Sequence, residues 1–384
     1  MAWTGGPVGR HGDDGGPSGH PVVAVAATSG ASPATPAWHR PLDEERKGSI
    51  VRAWLTSGDG IDALREEDVP APSPGPTEVL ARVQAVALNY RDLLVVRGEG
   101  SWAPPRPVVP VSDAAAVVEA VGGQVTRFRV GDVVLPTFLP KWRTGELTAA
   151  TYVLPTGGPV NRGMLAELVV LDEQEAVLAP RTLDAVHACT LPVAGVTAWH
   201  ALRRTRITAG ETVLVHGTGG VALMALQIAR AAGAEVVITS GSGAKRALAR
   251  RSGATHTLDH RTQDVAAQVR HLTGGAGADV VVETVGGSHL DVSLDAVRIG
   301  GRIAFVGLLA GVEAEVSTYQ LVTSNATVHG IETGSRAMLE ELVEFVDEHR
   351  IVPVVDSVHR WEDVRSALRH LGSGAHAGKV VVVA

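Results

Sequence analysis

The residues with the clearest chemical reading form one short stretch, Gly217, Thr218, Gly219, Gly220, Val221 and Ala222. It follows the apolar run Thr212–His216 and leads into a helical pattern that stops at Gly233. The spacing is G-x-G-x-x-A between a buried strand and a helix. There the first glycine permits a tight turn, the next lets a pyrophosphate approach the backbone, and the small residue lets helix and strand pack closely. Unpaired N–H groups and the helix dipole at such a start favour a diphosphate. The pattern therefore predicts a dinucleotide held at Gly217, Thr218, Gly219, Gly220 and Val221.

About 20 residues on, sites that take NAD place a carboxylate against the ribose hydroxyls. Here the chain reads Thr239-Ser240, then Ser242, Lys245 and Arg246. Hydroxyls and cations such as Ser240 and Lys245 suit a 2′-phosphate, which an Asp would repel. NADPH is the expected coenzyme, with NADH left open, as is a plain helix-surface role for Lys245 and Arg246. The run Asp259-His260-Arg261 follows another strand and puts His260 at the edge of the adenine.

These positions need a parallel sheet, and the surrounding sequence supplies one. After Ala185 the texture repeats as strand, glycine turn, amphipathic helix and strand, with strands expected at Thr212–His216, Glu235–Thr239, His256–Leu258, Val280–Glu283, Arg302–Val306 and Thr327–Gly330. Six such strands make a doubly wound Rossmann sheet. From Ile50 to about Pro180, short apolar runs (Val79–Val86, Ala115–Val121, Val133–Phe138, Leu165–Leu171) alternate with Pro-Gly, Gly-Gly and Gly-Asp turns, which predicts a mostly β, barrel-like unit. Arg336–His349 reads as a helix and Lys379–Val383 as a closing strand. The expected layout is a disordered tail over 1–48, a catalytic domain over 49–180 completed by 336–384, and a nucleotide-binding domain over 181–335.

Composition narrows the classes of function. The 384 residues carry a net charge of −7, with 45% hydrophobic and 20% charged residues, which fits a globular protein and offers no basic field for nucleic acid. No apolar run approaches the roughly 18 residues of a membrane span, so a cytoplasmic location with a small-molecule substrate is expected. Cys189 is the sole cysteine, which excludes an internal disulfide and a cysteine metal cluster. The 15 histidines look scattered, with no metal-ligand spacing and no nucleophile elbow, so no metal is expected.

The chain resembles the medium-chain dehydrogenase/reductases, most closely their zinc-free quinone-oxidoreductase-like and alcohol dehydrogenase branch. The resemblance runs from about Val51 to Ala384. It rests on Ala87-Leu-Asn89-Tyr90-Arg91-Asp92, Val111-Ser112-Asp113, Val130-Gly131-Asp132, Leu191-Pro-Val193-Ala-Gly195-Val-Thr197-Ala-Trp199, the glycine turn, Gly334-Ser335-Arg336 and Gly378-Lys379. It implies an α/β protein with a GroES-like catalytic domain beside the Rossmann sheet, a cleft between them, and a homodimer. Zinc-dependent relatives carry Cys, His and Cys where this chain has Asn89, Ser112 and Val193, none a good zinc ligand. The structural zinc lobe is replaced by Leu139–Arg162. Ala114 and Ala116 stand where relatives often have glycine, which would narrow the pocket floor.

Without a metal, side chains or backbone N–H groups must stabilise a developing oxyanion. That favours quinones and α,β-unsaturated carbonyls, whose charge delocalises onto a conjugated oxygen. Asn89, Tyr90, Asp92, Ser112 and Asp113 are the candidate catalytic residues, with Tyr90 the first choice of donor among three tyrosines. Packing or ion-pair roles stay open for Tyr90, Asp92 and Asp113. By resemblance Thr197 contacts the carboxamide, with a packing role left open, while Arg336 and Lys379 either pair with coenzyme phosphates across a closed cleft or are ordinary surface charges. Lys141 and Trp142 either cover substrate or decorate an exposed loop. A zinc-independent alcohol dehydrogenase and a non-catalytic nucleotide-binding protein are the competing readings.

Overall fold

A computed structural model describes residues 49–153 and 155–384. The expectation for the tail, 1–48, lies outside the described residues. In chain order the elements are β1 (Ile50–Leu55), β2 (Arg65–Pro70), β3 (Glu78–Leu88), α1 (Tyr90–Arg97), β4 (Asp113–Val121), β5 (Val133–Pro136), β6 (Leu168–Asp172), β7 (Ala176–Leu178), α2 (Ala185–Ala188) and α3 (Val196–Arg204). There follow β8 (Thr212–Val215), α4 (Gly220–Ala231), β9 (Glu235–Thr239), α5 (Gly243–Arg251), β10 (His256–Leu258), α6 (Val265–Leu272), β11 (Ala278–Glu283), α7 (Leu290–Ala296), β12 (Val297–Phe305), α8 (Thr318–Ser324) and β13 (Thr327–Gly330). The chain closes with α9 (Arg336–His349), β14 (Val355–Arg360), α10 (Val364–Gly372) and β15 (Lys379–Val383).

Six strands form one parallel sheet in the order β10-β9-β8-β11-β12-β13. The order reverses between β8 and β11, where a doubly wound sheet opens its ligand crevice. β8 explains why these runs are apolar throughout. Val213 and Val215 pack into the core under α3, α4 and α9, while Leu214 packs into the core under α6 and α7. Successive side chains thus point to opposite faces, and both faces are covered.

The remaining strands make the β unit. β3 pairs antiparallel with β4, β6 and β15, β4 with β5, and β5 with β7. The last strand therefore returns to complete the first unit, as its sequence suggests. One strand moved: the apolar run Leu165–Leu171 becomes a strand only from Leu168. Its first residues bond irregularly instead, with Met164 N on Val111 O and Leu165 N on Pro110 O. Ala114 and Ala116 differ from expectation too, since both face the barrel core rather than a pocket floor. No helix of the described residues is long and apolar enough to cross a membrane.

Candidate active site

β15 begins where the two sheets meet. Gly378 N donates to Thr218 O (2.9 Å), and Gly378 and Gly219 form a parallel bridge that ties the β unit to the glycine turn. Gly217 takes φ of 81°, a left-handed conformation that suits glycine. Gly219, the N-cap of α4, supplies no side-chain cap, and a Cβ added there would meet nothing within 4 Å. Gly220 lies against the Lys379 stem, with Cδ 2.6 Å from where a Cβ would stand. Thr218 is buried, and Val221 lies in the first turn of α4. This cradle fits a dinucleotide diphosphate, because open space faces uncapped helix amides.

From Gly220 the Lys379 side chain runs inward and is only 4% exposed. Its ammonium donates to Leu88 O (2.8 Å) and Asn89 Oδ1 (2.5 Å) and lies 3.7 Å from Asp113 Oδ2. In this structure three buried oxygens, not a phosphate, hold the Lys379 charge. The hydrogen bonds continue from Asn89 Nδ2 to Ser112 Oγ (3.3 Å) and from Ser112 Oγ to Asp113 Oδ1 (3.1 Å). Asp113 Oδ2 has no hydrogen-bond partner. Burial pushes this carboxyl up to about 6, against the opposing pull of Lys379 and the hydrogen bonds of Asn89 and Ser112.

The backbone under this chain is strained. Val111, buried and β-branched, sits at φ of 73°, a conformation that such residues rarely adopt. Cβ atoms on Gly157 or Gly163 would overlap the Val111 carbonyl, so both glycines let the loops close on this bend. A residue held there costs about 1–3 kcal/mol and persists only where its surroundings dictate it. The bend aims Ser112 and Asp113 at Asn89.

Asp92 makes the ion pair with Arg91 that its sequence left open and also caps α1. Its Oδ2 accepts from Asn89 N (2.8 Å) at the start of α1, and its Oδ1 accepts from Arg91 Nη1 (3.0 Å). Arg91 also donates to Thr156 O and Gly157 O and stacks between Trp102 and Phe138. Tyr90, by contrast, is 41% exposed beside Asn89.

Other side chains expected at the coenzyme are committed elsewhere. Thr197 Oγ1 donates to Val193 O (2.6 Å), so its hydroxyl oxygen can only accept further bonds. Arg336 donates to Gln174 and pairs with Glu340 in this structure. Lys245 Nζ donates to Gly374 O (2.8 Å), and Arg246 pairs with Asp259 (2.7 Å) and donates to Ser240 O (2.7 Å). Ser240 is buried at the end of β9. His260 is exposed, and partial desolvation followed by the neighbouring Arg261 pulls its imidazole below its usual range. Arg261, named in the sequence only within the run after β10, has its guanidinium against Gly241 beside the end of β9. Its position in the run after β10 was the available signal.

Trp142 covers no open cleft and is no loop decoration. It is buried with Phe138, Leu139, Val193 and Met338, its ring meets His200 edge-on at 5.6 Å, and its carbonyl accepts from Arg336 N at the start of α9. Lys141 pairs with Glu175 (2.8 Å).

Known proteins resemble this chain in sequence and fold. Residues 75–181 match the alcohol dehydrogenase GroES-like domain, and residues 220–348 match the zinc-binding dehydrogenase model. A zinc-type alcohol dehydrogenase-like protein of Schizosaccharomyces pombe is 36% identical over 332 residues, 84% of this chain and 96% of its own length. The chain belongs to the medium-chain dehydrogenase/reductase superfamily. A crystal structure of a Sinorhizobium meliloti protein described as an alcohol dehydrogenase superposes with a TM-score of 0.83 at 42% identity, covering 88% of this chain and 99% of that one. A quinone oxidoreductase of Pseudomonas aeruginosa is 36% identical over 254 residues, 66% of this chain and 71% of its own length. As a member of this superfamily the protein is an NAD(P)-dependent oxidoreductase with a GroES-like unit and a Rossmann sheet.

The catalytic zinc of metal-dependent members does not fit the residues here. Asn89, Ser112 and Val193 stand at the three ligand positions, and the Lys379 ammonium is hydrogen-bonded to Asn89. An amide oxygen already holding a cation, a hydroxyl and a hydrocarbon make a poor set for Zn²⁺.

Proposed function

We propose that this reductase transfers hydride from NADPH to a quinone or an α,β-unsaturated carbonyl without zinc. The observation that carries the reading is the buried Lys379–Asn89–Ser112–Asp113 chain, in which an ammonium stands where a metal-dependent relative would need ligands. Bound NADPH would supply the hydride.

The protein's own residues supply position, charge and protons. The glycine turn and the α4 amides anchor the diphosphate, and Arg261 with Ser240 favours a 2′-phosphate. Buried Phe138, Leu139 and Trp142, with half-buried Val193 packed against them, exclude water from one wall. Ser112 and the Lys379 ammonium hold a field that favours negative charge on a substrate oxygen, and Tyr90 at the mouth offers an O–H. Asp113, titrating near neutral pH, is a proton reservoir at the end of the chain. This modest electrophilic help suits an acceptor that delocalises charge; a simple ketone demands more.

The test is NADPH absorbance with a quinone, an enone and an aldehyde in turn, beside alcohol oxidation with NADP⁺. Turnover of the quinone or enone is expected. Turnover confined to alcohols and aldehydes refutes the reading and favours the alcohol dehydrogenase alternative. A cytoplasmic homodimer belongs to the same proposal. It is supported by β13, the outermost strand of its sheet, with exposed Leu308, Leu309, Tyr319 and Val322 nearby. Light scattering of the purified protein checks the dimer.

A further inference from the structure

A second polar cluster lies beneath the glycine turn, away from the Asn89–Ser112 chain. His216 follows β8 directly and precedes Gly217, Glu283 ends the neighbouring β11, and His289 lies in the short turn before α7. One ligand atom from each falls within 4.8 Å of the others. This corrects the expectation of scattered histidines without metal spacing, since pairing of β8 with β11 joins residues far apart in the chain.

The cluster is built in detail. Glu283 is fully buried, and its Oε1 accepts from the amides of Val285 (2.6 Å) and Gly286 (3.0 Å), which fixes the carboxylate plane. Its Oε2 accepts from Ser293 Oγ (2.6 Å) and meets His289 Nδ1 at 2.6 Å. His216 is also fully buried, and its Nε2 has no partner while lying 4.0 Å from the same Oε2. An orphaned imidazole nitrogen in such a place is destabilising unless something binds it. Burial pulls His216 down to about 3, so its imidazole is neutral, the form that ligates metals. Glu283, despite the upward push of burial, is held at about 2 by His289, His216 and Ser293 and so stays ionised.

We infer that His216 Nε2, the Glu283 carboxylate and His289 form a binding site for one divalent transition-metal ion of the zinc or cobalt type. Two imidazoles and one carboxylate are a borderline-soft donor set, with a fourth position left for water. His289 keeps 23% of its side chain exposed, which opens an entry path. Tetrahedral donors about 2.0–2.1 Å from an ion stand roughly 3.3 Å apart. Loading therefore opens the His289–Glu283 hydrogen bond by under about 1 Å and draws His216 and Glu283 together, movements that a short turn at Gly287–His289 can absorb. The ion would clamp β8 to β11 under the coenzyme turn, and this inference does not depend on the substrate proposed above.

The test is titration of chelator-treated, tag-free full-length protein with Co²⁺, read by the visible d–d absorption of a tetrahedral ion. One equivalent is expected, with affinity lost by more than about a hundredfold in both His289→Gln and His216→Gln. The His289 variant changes a part-exposed turn residue and guards against a folding defect. Binding should survive Ser112→Ala, which alters only the catalytic chain. Absence of the band, its persistence in the histidine variants, or its loss in Ser112→Ala overturns the site. None of these readouts uses turnover, so failure here leaves the reductase reading to its own assay.

Discussion

Replacing Lys379 by Met keeps the stem against Gly220 and removes only the ammonium. In the native protein Asp113 titrates at about 6, against roughly 3.9 in an unfolded chain. The folded state thus binds the extra proton between those values. The stability that Asp113 contributes is fully present below about pH 4, falls by about 3 kcal/mol as pH rises to 6, and then levels off. At 3.7 Å the Lys379 charge attracts Asp113 by about 4.5 kcal/mol at an effective dielectric of about 20. Without it the Asp113 titration rises by roughly three pH units. The variant therefore continues to lose stability above pH 6, by about 1.4 kcal/mol for each further unit up to about pH 9. A pH-independent loss of about 1–3 kcal/mol per orphaned acceptor at Leu88 O and Asn89 Oδ1 adds to this, offset in part by no longer burying an ammonium. Urea unfolding at pH 6, 7 and 8 measures the difference from the native chain. A deficit near 1.4 kcal/mol larger at pH 7 than at pH 6, and larger again at pH 8, is expected. An equal deficit at all three values refutes the coupling, and in an Asp113→Asn background the slope should vanish.

Arg261→Ala should lower kcat/KM for NADPH by roughly 10–100-fold, the worth of one charged hydrogen bond, and leave NADH unchanged; steady-state kinetics with both coenzymes checks this. Gly163→Ala should destabilise by about 3 kcal/mol, because the added Cβ overlaps the fixed carbonyls of Pro110 and Val111, and thermal unfolding reads the effect. Trp142→Ala should cost about 3–5 kcal/mol and loosen the start of α9, seen as faster hydrogen exchange at the Arg336 and Ala337 amides.

Local physics made much of this protein legible in its sequence. The strand, glycine turn and helix at Thr212–Ala231 carry their own signature, because dihedral freedom at Gly217 and apolar periodicity are properties of a few adjacent residues. The same holds for α9, β9, β13 and β15, whose expected and observed limits agree.

Tertiary structure alone decided where the long, charged side chains go. Lys379 has four methylenes and can reach either a phosphate or Asn89; burial among Leu88 O, Asn89 and Asp113 selects the inward course. Arg336 and Lys245 found neighbours from distant segments, Gln174 and Gly374, and Arg261 remained at the β9 end. His216 and His289 meet around Glu283 only because β8 lies beside β11. Sequence periodicity sets which face a residue occupies, whereas the partner across that face depends on strand order, which no local pattern encodes.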